Sequence, residues 1–331
     1  MAALSASCLV GPVPFKDVAT AVDGHSSTPE EYEDIVSGLP SSTALGMVLR
    51  QYRGSWVIQE RVTAFISLQR RFTPRPGDVL LASPAKCGTT WLKALAFATM
   101  ARGAYPPTDA QHPLLRMNPH ECVPFMDELF TAGQDARLEA LPSPRLMHTH
   151  MHHSLLPASV TDNPDCKIVF MLVSLWHFVK GVRPFTFDDL FNSACEGKTP
   201  NGPIWDHLIG YWSTSKTSPD NVLFLRYEEM LIDPVGHVRE LARFIGQPFS
   251  HADEAAGIPA DIVKLCSFDK LKGQGANTAG SYDGKVFSFA HETFFRKGVA
   301  GDWVNNMTPE MAQRFDTIIE DTLRGSGLTF K

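Results

Sequence analysis

The 331-residue chain has no run of about 18 apolar residues free of charges and breakers, so no segment reads as a membrane-spanning helix. Nor does a basic segment precede an apolar stretch at its start. The opening MAALSASCLVGPVPF is interrupted by Gly11, Pro12 and Pro14, which argues against a secretory leader. A basic surplus is missing too: 30 Lys and Arg stand against 36 Asp and Glu, a formal net charge of -6. General nucleic-acid binders need such a surplus to displace counterions, so any anion site here has to be local. The cysteines Cys8, Cys87, Cys122, Cys166, Cys195 and Cys266 form no CxxC pair. That disfavours a zinc ribbon or a disulfide framework, and reduced thiols in a cytoplasmic protein are the simplest account.

An apolar fraction of 44% is enough for a well-formed core. Residues 1 to about 40 are rich in Ser, Thr, Pro, Gly and acidic groups without a sustained period, and read as a loose arm. Beyond it, apolar runs alternate with helix-like segments: 78–83 then 89–102, 166–173 then 174–180, 221–225 then 235–246. This alternation predicts parallel βαβ units, hence a single α/β domain with a central parallel sheet flanked by helices. In such domains ligands sit where strand carboxyl ends meet helix N-termini. No internal repeat or dividing linker is visible.

The segment DVLLAS-PAKCGTTW-LKALAFATM at 78–100 reads as a buried strand, a P-loop-like turn and a helix capped by Thr89 or Thr90. Helix N-termini offer unpaired N-H groups and partial positive charge, and Lys86 adds a full charge at the loop's entrance. The plain alternative is a strand-to-helix turn with a surface lysine. A Walker A loop is a poor match, because Lys86 precedes Gly88 instead of following the second glycine of GxxxxGK[ST], so ATP is not the favoured ligand.

The order PAKCGTTWL at 84–92 resembles the donor loop of the cytosolic sulfotransferases, plant members in particular. Distant segments agree in order: PRLMHTH at 144–150, VSLWHF at 173–178, GPIWDHLIGYW at 202–212, VLFLRYEEM at 222–230 and FFRKGVAGDW at 294–303. The resemblance implies residues 1–45 as a flexible arm and 46–331 as a sulfotransferase domain. It further implies transfer of a sulfonate from 3'-phosphoadenosine 5'-phosphosulfate to a small hydroxylated acceptor, without metal, nucleic acid or membrane, by a monomer or weak homodimer. His150 matches the base that takes the acceptor's proton, and Lys86 the cation at the leaving 5'-phosphate. Lys86, Cys87, Gly88, Thr89, Thr90 and Trp91 match the donor cradle. Ser174, Arg296, Lys297 and Gly298 match the 3'-phosphate site, and Tyr227 and Ser267 the adenosine surround. The segments between Tyr105 and Arg145 and between Ala252 and Lys272 are expected to line the acceptor pocket.

The residues fit that chemistry on their own terms. In-line sulfonate transfer needs a base on one side and charge stabilisation on the other, and histidine's ordinary pKa lies close to neutral. The run His148, His150, His152, His153 also invites a metal reading, since alternate strand residues share a face. No carboxylate or cysteine stands near that run in sequence. Arg296 and Lys297 before a Gly-Asp-Trp turn could grip a phosphate, although a solvated basic pair is the plain reading.

One element of the family pattern is missing. The strand CKIV normally leads into a loop bearing Arg-Asp/Glu-Pro-Lys-Asp, but here CKIVFMLVS at 166–174 runs straight on. Losing one member of a charge pair of this kind costs about 2 to 5 kcal/mol, roughly 30-fold to several thousand-fold in donor affinity. Lys167 is a poor substitute because it lies within the strand. Either Met171 to Val173 leave the sheet to make the turn, or the following helix loses its first turn. An active enzyme with a remodelled site, a catalytically impaired or inactive relative that binds without turnover, and a misjoined coding sequence all remain open.

Overall fold

The computed structural model describes residues 11–18, 32–85, 87–172, 186–299 and 307–330. Strands β1 (Ser41–Ala44), β2 (Met47–Tyr52) and β3 (Ser55–Ile58) form an antiparallel sheet. Strands β4 (Val79–Ala82), β5 (Leu146–Thr149), β6 (Lys167–Leu172) and β7 (Val222–Arg226) form a parallel sheet in the order β5-β4-β6-β7. A short antiparallel pair, β8 (Ser281–Asp283) and β9 (Ser288–Ala290), lies near the C-terminus. The helices that position the site are α1 (Glu33–Ser37), α2 (Gln59–Arg71), α3 (Thr89–Met100), α4 (Pro119–Cys122) and α5 (Met126–Thr131).

The run VLLA of β4 is buried at every position, as a central parallel strand covered on both faces requires. Its side chains alternate between two cores. Leu80 and Ala82 join Phe65, Met147, Ile168 and Phe170 on one face, while Val79 and Leu81 join Leu92, Leu95, Phe97 and Val169 on the other. Each fully buried leucine contributes about 1.5 to 3 kcal/mol. Where β4 enters the sheet, the Asp78 carboxylate accepts from Arg145 Nε at 2.9 Å, Nη2 at 2.6 Å and the Arg145 backbone N-H at 2.9 Å. Both side chains are wholly buried, so this pair ties the start of β4 to the start of β5.

The chain leaves β4 for β5 on one side of it and reaches β6 on the other. The crevice beyond the carboxyl end of β4 is therefore a topological switch point, where open α/β sheets hold ligands. The expected βαβ alternation is observed for 78–100, and 221–246 yields β7 followed by helices Tyr227–Ile232 and Pro234–Phe244. β6 runs through Leu172, which pairs with Arg226. Met171 and Leu172 thus stay in the sheet, which removes, for these two residues, the first of the two alternatives for the short connection; Val173 lies outside the described residues. The helix expected at 174–180 lies outside the described residues.

Within the segment read as an arm, Phe15, Tyr32 and Val36 are buried in the main core, and Lys16 pairs with Glu121 at 2.5 Å. The α2 helix and the β1–β3 sheet were not foreseen. Among the described residues no helix is long and apolar enough to cross a membrane.

Candidate active site

The loop after β4 starts at buried Ser83 and tightens where the Cys87 N-H donates to Pro84 O at 3.2 Å. Gly88, at φ 71° and ψ 12°, is the N-cap of α3. A side chain there would be strained, so glycine is the residue this turn admits. Neither threonine caps the helix, contrary to the sequence reading. Thr89 Oγ1 lies 2.7 Å from Ser83 Oγ, and Thr90 Oγ1 lies 3.0 Å from His120 Nε2. The N-cap glycine itself has no side chain to accept from the start of α3, so the cap position leaves the helix's first N-H groups open to an anion.

His150 follows the last residue of β5, and its Nδ1 donates to the carbonyl of Ser83 at 2.7 Å. A carbonyl only accepts, so Nδ1 carries a proton and in the neutral ring the lone pair lies on Nε2. The same bond ties the imidazole to the residue that opens the phosphate loop. Asp127, wholly buried on α5, steadies the backbone here: it accepts from Thr149 Oγ1 at 2.5 Å and from the His150 N-H at 3.1 Å. Burial pushes its carboxyl up to about 6, against the opposing pull of Arg61 and these hydrogen bonds. The Phe125 ring packs against both His150, at 4.9 Å between centroids, and His148, at 5.2 Å.

The histidines of the 148–153 run go separate ways. His148 is buried, with Nε2 3.4 Å from Ser83 Oγ. Burial and then the Lys93 charge hold it well below the usual histidine value. His152 bonds Ser55 Oγ at 2.9 Å and donates from Nε2 to Asn201 O at 2.8 Å. Among the described residues no group of three or more potential ligands is arranged to hold a metal.

Beside the loop lies a cavity of about 320 Å³, lined by Gly88, Trp91, Tyr227, Ser267, Phe268, Phe294, Arg296, Lys297 and Gly298 among others. Segments up to 211 residues apart in sequence (from 88 to 299) therefore converge on one space. Trp91 and Tyr227 meet edge to face at 5.4 Å. A Cβ at Gly298, whose φ is 67°, would run into the Phe268 ring, so the close approach requires glycine. Arg296 and Lys297 are exposed at the wall. Cys87 lies in the loop but is buried in the core, and Cys266 is buried beside Ser267. Lys86 and Ser174 lie outside the described residues.

A sulfotransferase domain is matched over residues 76–327. The chain belongs to the sulfotransferase family. It is 40% identical to cytosolic sulfotransferase 8 of Arabidopsis thaliana over 313 residues, 90% of this chain and 93% of that one. It is 37% identical to the flavonol 3-sulfotransferase of Flaveria bidentis over 316 residues, covering 90% of this chain and 100% of that one. In three dimensions it resembles an Arabidopsis thaliana protein assigned as a steroid sulphotransferase. The TM-score is 0.73 at 32% identity, over 94% of this chain and 99% of that chain. A retinol dehydratase solved with androsterone and the inactive cofactor PAP shares the fold, with a TM-score of 0.69 at 19% identity over 92% and 97% of the two chains.

In this sulfotransferase the sequence reading missed two residues beside the loop. Lys93, in α3, is fully buried, and its Nζ donates to Val123 O at 3.1 Å and lies 3.2 Å from His120 Nδ1. Burial lowers it to about 7, although Asp127 and Cys122 oppose the shift. His120, on α4, stacks on Phe294 of the cavity wall at 4.0 Å and 20°. A signal existed for Lys93: it is the one charged residue in TTWLKALAFATM, so a helix with no polar face has to bury it.

Proposed function

We propose that the chain transfers a sulfonate group from 3'-phosphoadenosine 5'-phosphosulfate to a hydroxyl of a small molecule. The observation that carries this reading is the hydrogen bond from His150 to Ser83 O, which joins a histidine with its lone pair on Nε2 to the mouth of the phosphate loop. The loop opens beside a cavity with aromatic and cationic walls. Its dimensions and lining fit an adenosine bisphosphate moiety: Trp91 and Tyr227 offer aromatic surface, and Arg296, Lys297 and the N-H groups near Gly298 suit a phosphate. The start of α3, with Lys86, suits the 5' end.

In the reaction the acceptor oxygen bonds to sulfur as the bond from sulfur to the 5'-phosphate oxygen breaks. His150 takes the acceptor's proton on Nε2, and Lys86 and the loop stabilise the charge on the departing bisphosphate. The PAP bound to the retinol dehydratase neighbour supports this donor class, and the names of the plant relatives support a cytosolic enzyme. The flavonol named in one relative and the androsterone held by that neighbour suggest a hydroxylated ring compound as acceptor.

A second reading rests on the missing arginine loop before Ser174: a sulfotransferase-fold protein that binds nucleotide with impaired or no turnover. Purified protein given labelled donor and a panel of phenols separates the two. Transfer to any phenol, lost by about 10² to 10⁴ in His150→Ala while adenosine 3',5'-bisphosphate still binds, supports the enzyme. Binding without transfer supports the second reading, and absence of both removes the donor assignment.

A further inference from the structure

Thr90 and Lys93 stand three residues apart on α3 and so share a face of the helix. The His120 ring lies between them, with Nε2 3.0 Å from Thr90 Oγ1 and Nδ1 3.2 Å from Lys93 Nζ. The polarity of this chain is set at its buried end. In its ammonium form Lys93 has donors only, and it also donates to Val123 O. His120 Nδ1 therefore accepts, its proton sits on Nε2, and Nε2-H donates to Thr90 Oγ1. A hydroxyl whose oxygen accepts from His120 must direct its own hydrogen elsewhere. Thr90 is in the first turn of α3, two residues after Gly88 and one before Trp91, both of which line the cavity.

We propose that His120 and Lys93 are positioning residues that aim the Thr90 hydroxyl hydrogen at the 5'-phosphosulfate end of the donor. This rests on the donor reading given above. Each link donates toward the anion, and hydrogen bonds aligned in one direction polarise one another. The ring plane is held from the cavity side by Phe294, stacked on His120, and Phe125 lies 6.0 Å from Lys93 Nζ. Burial lowers Lys93 toward neutrality, so an anion in the loop favours the ammonium form that fixes the direction of the chain. The plain alternative is a buried polar network that only satisfies itself.

The two differ in which ligand they affect. Calorimetric titrations of adenosine 3',5'-bisphosphate and of adenosine 3'-monophosphate, which lacks the 5'-phosphate, are compared for wild type and variants. His120→Phe keeps the stack on Phe294 and removes both ring nitrogens. It is expected to weaken bisphosphate binding about tenfold, the value of one hydrogen bond to an ionised group, and to leave the monophosphate within about twofold. His120→Gln can accept from Lys93 and donate to Thr90, and is expected to restore bisphosphate affinity. Thr90→Val should show the same loss, and adding His120→Phe to it should cost nothing more. Should His120→Phe not fold, Thr90→Val and Lys93→Met carry the same ligand comparison. Equal weakening of both ligands, unchanged bisphosphate affinity, or additive losses in the double variant overturn the proposal. A wild type that binds neither nucleotide removes the donor reading itself, and this inference with it.

Discussion

Replacing Lys93 by methionine should change stability by an amount that depends on pH with a definite sign. The lysine is fully buried, and burial lowers it from 10.5 to about 7. A shift of that size corresponds to about 5 kcal/mol of penalty on folding the charged form. Because the folded pKa lies below the unfolded one, the unfolded chain binds more protons between about pH 7 and 10.5. Below that window the wild type bears the whole penalty, and within it the penalty falls by about 1.4 kcal/mol per pH unit. Methionine fills similar volume without charge, yet leaves the Val123 carbonyl and His120 Nδ1 without this donor, at about 1 to 3 kcal/mol each. The sign at a single pH therefore decides nothing, and the slope does. Urea unfolding of both proteins at pH 7, 8 and 9 stays above the titration of the buried Asp127 carboxyl, near 6. The stability of Lys93→Met relative to wild type should fall by about 2 kcal/mol across that range. Parallel stability curves would refute a buried, shifted lysine.

Three further outcomes are expected. Asp78→Ala leaves the wholly buried Arg145 guanidinium without its main partner and should destabilise by about 3 to 5 kcal/mol in urea unfolding; a loss below about 1 kcal/mol would contradict the pairing. Gly298→Ala puts a Cβ into the Phe268 ring at a positive φ, so adenosine 3',5'-bisphosphate should bind several-fold more weakly by calorimetry, about 1 kcal/mol, and unchanged affinity would remove this wall from the site. Inserting Arg-Asp-Pro-Lys-Asp ahead of Ser174 should tighten bisphosphate binding by roughly 30-fold or more, and no gain would refute the assignment of weakness to the missing loop.

The parallel sheet was legible because its strands are short apolar runs ending in loop residues, and a run such as VLLA, stopped by Ser83 and Pro84, is too short for a helix and suits a central strand buried on both faces. The loop at 84–88 was legible for the same local reason, since proline and glycine mark both its ends. The helix cap was misread because threonine is a common N-cap. Here both hydroxyls are taken by partners more than five residues away, Ser83 and His120, and glycine occupies the cap. Interactions at that range leave no trace in local pattern. Asp127 and His120 escaped notice likewise, because their meaning lies in contacts across 23 residues to His150 and 30 residues to Thr90. The β1–β3 sheet has half-exposed strands such as β1, whose SSTA carries no apolar alternation.

The short connection before Ser174 now has a fixed point on its near side. β6 remains paired with β7 through Leu172, so Met171 and Leu172 are not given up to the turn. Lys167 cannot replace the absent arginine, since it begins β6 while the connection begins after Leu172, about 16 Å further along an extended chain. Its Nζ is also engaged at that far end, donating to Pro164 O at 3.2 Å and Asp220 O at 2.7 Å. Among the described residues that line the cavity, the cations are Arg296 and Lys297. Both are exposed at the wall, where salt screens their attraction for a phosphate far more than it would a buried arginine's. On the proposed reading, then, the donor is held firmly at the loop end and loosely at the 3' end. Nucleotide affinity should accordingly weaken more steeply with ionic strength in this chain than in the variant with the arginine loop inserted, because the exposed pair carries a larger share of the binding.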